Sequence, residues 1–189
     1  MILNTISRLL TPIDYLRIRH PVKHRYDITI PFIFGSLIYT TYFFLPYKPI
    51  LLGSFGLIEK ISNLLSILSG FYIASLAAVA TFESANLDSQ MDGTKPTLRI
   101  RDNKIEFITR RRFLCLLFSY LVFLSMFLLF SGFLAQTISQ NLFIITPKYY
   151  NIIKHILIGI YTFFFCQLVT ITFFGIFYIS DKIHRKPND

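Results

Sequence analysis

The sequence predicts an all-α integral membrane protein with four transmembrane helices and both termini on the cytoplasmic side. N-terminal amphipathic helices precede the spans, and a short cytoplasmic β-hairpin interrupts the loop between spans two and three. Three observations carry this expectation. Four long stretches contain no charged residue. Charged residues make up 15% of the chain, where soluble domains carry about a quarter. Finally, Lys and Arg are spread very unevenly over the segments that join the stretches, which is the pattern that fixes orientation in a bilayer.

Residues 1–27 form the first segment. Ile2, Ile6, Leu9, Ile13 and Leu16 recur at helical spacing, and Arg8, Arg17 and Arg19 flank that stripe. Thr11-Pro12-Ile13-Asp14 reads as a helix start, with Thr as cap and Pro in the first turn. Two short helices are expected, 2–10 and 12–19, ending before Pro21. Their basic, amphipathic character suits the membrane interface; packing against the rest of the protein is the alternative. No long apolar core of a signal peptide follows Arg8.

The uncharged runs are Ile28–Leu45, Ile61–Phe82, Phe113–Ile138 and Ile156–Ser180, of 18, 22, 26 and 25 residues. About 20 helical residues cross a hydrocarbon core of about 30 Å, so each can span, the first narrowly. Backbone in hydrocarbon must satisfy its own hydrogen bonds, and runs this uniformly apolar must do so as helices. They pair into transmembrane hairpins over 28–82 and 113–180. Residues 1–27, the loop 83–112 and the tail 181–189 hold 15 Lys and Arg, against 4 in the two other connections. The heavier side is expected to be cytoplasmic. The short opposite connections leave no room for a domain; Pro46–Pro49 reads as a turn and Ile50–Ile58 as an interfacial segment.

The loop 83–112 opens irregularly, with Asp88, Asp92, Gly93 and Pro96, and then alternates. An Asp102-Asn103 turn would make a hairpin over 97–108, setting Ile100 opposite Ile105 and Leu98 opposite Phe107, with Arg99 facing Glu106. An isolated hairpin is marginal in water, so its apolar face needs cover: the N-terminal segment, another subunit or a partner. Leu98, Arg99, Ile100, Ile105 and Phe107 are therefore the expected docking residues for a soluble cytosolic protein.

The runs contain no Asp, Glu, Lys, Arg or His. Proton relays, coupled transporters and charged filters place such groups inside their spans, so these classes are disfavoured, and no catalytic set can be assembled at membrane depth. His20 and His24 are four apart near Asp27, but Pro21 lies between them and no fourth ligand is evident. No metal, cofactor or catalytic residue is expected. Cys115 and Cys166 sit inside apolar runs and read as packing residues. The net charge of +9 lacks a soluble basic face, so direct nucleic-acid binding is not expected.

What the spans do offer is packing. Ser62, Ser66, Gly70, Ala74 and Ala78 recur every four residues, a strip on which helices can approach closely, within the chain or between copies in a homo-oligomer. Gln167, central in the last run, is expected to hydrogen-bond across helices. Arg110, Arg111 and Arg112 stand at the mouth of the third run, placed to hold lipid headgroups.

With Leu98–Ile100 and Thr109–Cys115, the stretch Gly70–Phe82 resembles the small membrane components of bacterial anti-phage defence systems. These are the four-span Kiwa membrane subunit and, with a poorer fit because they are usually two-span proteins, retron-associated membrane effectors. The resemblance implies a multi-pass oligomer of the bacterial inner membrane with a cytosolic partner, and carries no functional residue with it. Three functions are open: a scaffold or sensor, a membrane-perturbing effector, and a carrier of a neutral solute. The last is disfavoured by the absence of a detectable internal repeat.

Overall fold

Each uncharged run falls on one long helix. In the computed structural model, which describes residues 10–20, 22–47, 49–53, 55–91, 96–99, 105–145 and 149–182, α1 is Ile30–Phe44 and α2 is Leu57–Thr81. Helix α3 is Arg110–Ile145 and α4 is Tyr150–Phe177. A π-helical turn, Arg25–Thr29, leads into α1, and another, Tyr178–Lys182, closes α4. With those turns, all four helices are long and apolar enough to cross a membrane. The chain thus has the make-up of a multi-pass membrane protein.

α2 packs along α3, α3 against α4, and α1 along α4. The core between them is leucine-rich: Leu65 of α2, Leu114, Leu117, Leu121 and Leu128 of α3, and Leu168 and Ile171 of α4 are fully buried. Hydroxyls join the helices where lipid offers no partner. Ser69 meets Ser125 at 2.8 Å and Tyr72 meets Thr172 at 2.6 Å; such bonds contribute about 0.6 kcal/mol each. α1 buries one side only, at Pro31 and Gly35. A Cβ on Gly35 would lie 3.5 Å from the Phe163 Cα, so the two backbones nearly touch there.

The connections are structured as well. Ile50–Ile58 folds back on itself, Leu57 and Ile58 donating to the carbonyls of Ile50 and Leu51, and α2 begins at Leu57. Gly56 permits the fold-back, since a Cβ there would sit 2.6 Å from the Leu51 carbonyl oxygen. The expected helix 12–19 is instead a 3-10 turn, Thr11–Arg17, capped by Leu10 with no side-chain bond, followed by a strand, β1, Ile18–Arg19. Pairing of β1 with another strand takes the last two residues out of the helix. Apart from Leu10, the expected helix 2–10 lies outside the described residues.

The loop folds as β2, Thr97–Arg99, and β3, Ile105–Phe107, after a single helical turn at Ala85–Asp88. The strands form an antiparallel sheet in the order β1-β2-β3. The hairpin is there, but its register is one residue from that expected. Leu98 is opposite Glu106, Thr97 opposite Phe107 and Arg99 opposite Ile105. The buried residue after the hairpin is Ile108, 1% exposed, whose N–H donates to the Pro96 carbonyl. Holding Ile108 inside sets the pairing. Leu98 and Phe107 then fall on opposite faces, one 5% and the other 55% exposed. Ile100 and the turn lie outside the described residues.

Candidate functional site

The sheet lies at the end of the bundle where α1 begins, α2 ends, α3 begins and α4 ends. β1 pairs with β2 through Ile18↔Leu98 and Arg19↔Thr97, so the N-terminal segment covers the hairpin. Tyr15 and Ile18 are buried while Leu16 of the expected stripe stays 45% exposed. Tyr15 stacks on Tyr120 of α3, with ring centres 5.0 Å apart, and also approaches Phe113.

Around Tyr15 is a buried polar cluster that the sequence did not reveal. Lys23 and Asp27, four residues apart across the π turn, form an ion pair with side chains 8% and 6% exposed. The second Asp27 carboxylate oxygen accepts from the Tyr15 hydroxyl at 3.0 Å. The Lys23 ammonium also lies 4.0 Å from the centre of the Tyr15 ring, a cation–π contact. Gln167 completes the cluster: its amide nitrogen donates to the Asp27 carbonyl at 2.9 Å, and its oxygen accepts from Tyr120 at 3.0 Å. Burial, reinforced by Asp27, pushes the Tyr15 phenol well above its ordinary pKa. Burial lowers the Lys23 ammonium, with Asp27 opposing. Buried charges are tolerated only when paired and hydrogen-bonded, and here each is.

The depth of this cluster matters. Gln167 is ten residues before the end of α4 at Phe177, and Tyr120 ten residues after the start of α3 at Arg110. Both distances amount to about 15 Å along a helix. Exposed apolar side chains continue beyond that level, at Phe173, Ile176 and Phe177 of α4 and at Phe82 after α2. The ion pair therefore packs against the helices about 15 Å in from their ends, although in sequence both residues precede the first uncharged run. The signal available was the Lys23–Asp27 spacing, which puts the two on one helical face; nothing in the linear order reports their depth.

The arginine triplet is divided in use. Arg110 is buried, 5% exposed. Arg111 grips both Asp88 carboxylate oxygens, at 2.6 and 2.9 Å, and the Val79 and Phe82 carbonyls at the end of α2, at 2.9 and 2.8 Å. That bidentate bond holds the Asp88 carboxyl below its ordinary range. Arg112 pairs with Glu106 of β3 at 2.7 Å; in the observed register Arg99 stands opposite Ile105 and not, as expected, opposite Glu106. Arg111 and Arg112 thus tie the loop to the bundle, Arg112 while staying exposed.

The small-residue strip divides similarly. Ser62 lies against α3, where a Cβ on Gly132 would meet its hydroxyl at 3.4 Å. Ser66, Gly70, Ala74 and Ala78 are exposed on the outer face of α2, and a Cβ on Gly70 would meet nothing within 4 Å. The close approach within the chain is made instead by Gly35 on Phe163. Cys166 is buried and Cys115 partly so. Among the described residues, no three His, Cys, Asp or Glu side chains converge to hold a metal ion.

A scan of protein-family models, a search of curated proteins and a search of solved structures each returned no match.

Proposed function

We propose that this chain is a non-enzymatic protein of the bacterial inner membrane, with its sheet end in the cytoplasm, that serves as an oligomeric scaffold or sensor by receiving a soluble cytosolic protein on the sheet. Its resemblance to anti-phage membrane components supports this setting. The observation that carries the docking role is the two-sidedness of the sheet: Leu98 and Ile108 are buried in the chain's own core, while Phe107 is exposed on β3, at one edge of the sheet. Arg111 and Arg112 brace that surface against the helices. A pinned sheet with an exposed apolar side chain on its last strand suits a partner that adds contacts there without reordering the loop.

Of the docking residues whose side chains are described, Phe107 is the exposed one, and Leu98 belongs to the fold. Phe107→Ser is expected to release a cytosolic partner recovered with the wild-type chain in detergent, while leaving the spans inserted. Retention of every partner by Phe107→Ser overturns the docking role. One observation favours a second reading, a leak-forming effector: the Lys23–Asp27 pair and Gln167 form a buried polar cluster among the helices. Expression of the chain alone separates the two. A scaffold leaves the host's membrane potential intact, and an unrestrained effector collapses it.

A further inference from the structure

Beside the buried ion pair is an open cleft of about 800 Å³. Its inner wall is Asp27 and Gln167, and one side is basic. Arg19, His20, Lys23 and His24, all within six residues, line it. Asp27 neutralises Lys23, so Arg19 leaves the cleft with a net positive charge, and among the described residues neither Arg19 nor His24 is in an ion pair. The His20 Nδ1 accepts from the Val22 N–H at 3.3 Å, which leaves its Nε2 as a donor. The remaining side of the cleft is apolar, formed by Leu16, Ile28 and Phe163. Ile28 is 46% exposed, and Phe32, four residues on at the start of α1, is 63% exposed. The basic side thus opens onto a surface made for hydrocarbon.

We propose that this cleft holds the headgroup of an anionic glycerophospholipid. Arg19, His20 and His24 donate to its phosphate, and an acyl chain lies along Ile28 and Phe32. The volume falls in the range of small-ligand sites, and a guanidinium beside imidazole N–H groups is apt chemistry for a phosphate. The one carboxylate in the cleft, Asp27, already accepts from Lys23 and Tyr15 and presents no unpaired negative charge. A free phosphate would make no use of the apolar side, which is why a lipid is the fitting source. The assignment is independent of whether the sheet receives a partner.

The chain contains no Trp, so Ile28→Trp introduces a single fluorophore at the mouth of the cleft in the full-length protein. In phosphatidylcholine vesicles, a minor fraction of brominated phosphatidylglycerol is expected to quench it about fivefold more than the same fraction of brominated phosphatidylcholine. Phe71→Trp, on the exposed face of α2, is expected to be quenched equally by both. Adding Arg19→Ala with His24→Ala to the Ile28→Trp chain is expected to abolish the preference; both side chains are outside the core. The unmodified chain in detergent provides a second readout, with phosphatidylglycerol raising its Tm and phosphatidylcholine not. Equal quenching at Ile28→Trp, a preference that survives the double substitution, or its reversal by millimolar inorganic phosphate would each overturn the proposal, the last by revealing an ion site rather than a lipid site.

Discussion

Asp27 joins three parts of the chain: the 3-10 turn through Tyr15, its own π turn through Lys23, and α4 through Gln167. Removing its carboxylate strands a buried ammonium, a loss of about 3–5 kcal/mol. Asp27→Ala is therefore expected to lower the Tm in detergent sharply. Lys23→Met together with Asp27→Leu should recover most of it, because a matched apolar pair leaves no charge behind. A wild-type Tm for Asp27→Ala would show that the pair contributes nothing. The Asp88–Arg111 pair gives a prediction in pH. Its hydrogen bond from Arg111 holds Asp88 below its ordinary value of 3.8. The folded form thus binds its proton less readily than the unfolded one, so the stabilisation is present above 3.8 and is lost as pH falls through the depressed value. Asp88→Asn is expected to flatten that part of the stability profile, and an unchanged acid slope would exclude the linkage. Neither Asp27 nor Asp88 stands out in the sequence, because their partners are set by tertiary packing.

Among the elements, the helices were legible and the sheet only partly so. A bilayer demands a minimum apolar length, and that demand is written in the four uncharged runs. The hairpin was legible from alternation, but its register was not. Two apolar residues compete for the inward face, and Ile108 wins over Phe107 through contacts outside the hairpin. β1 left no signal because two residues cannot display a period of two. The small-residue strip shows the limit of spacing arguments: the spacing identifies a face that can pack, not what it packs on. Gly35→Leu should overpack the α1–α4 contact at Phe163 and destabilise the monomer by about 1–3 kcal/mol. Gly70→Leu is expected to leave the monomer's Tm unchanged, since a Cβ there meets nothing within 4 Å. Equal loss for both variants in detergent would contradict this assignment of faces.

At the level of the whole molecule, the described parts of the segments richest in Lys and Arg gather at one end, where the sheet forms. With Cys115 and Cys166 replaced, Tyr47→Cys, at a site 90% exposed, is expected to react with an impermeant thiol reagent on intact cells. Gln90→Cys, exposed at the sheet end, should react only after permeabilisation. The reverse pattern would invert the molecule and move the sheet away from cytosolic partners. The polar cluster was illegible at this scale as well. The absence of ionisable residues from the runs was correct as sequence, yet α1 starts about halfway along α4, and the segment before it is drawn in to fill the gap.

The pairing of Ile18 with Leu98 also has a consequence in time. The two residues are eighty positions apart, and a ribosome adding about 5–20 residues per second needs roughly 4–16 s to make the intervening chain. During that interval β1 has left the ribosome with no strand to meet, and Lys23 and Asp27 wait without Gln167, which is made later still. A neighbouring nascent copy that already displays its hairpin could capture the waiting strand first. The exchanged pair would be joined by the same bonds as the native one, so crowding on a polysome would favour interlocked dimers.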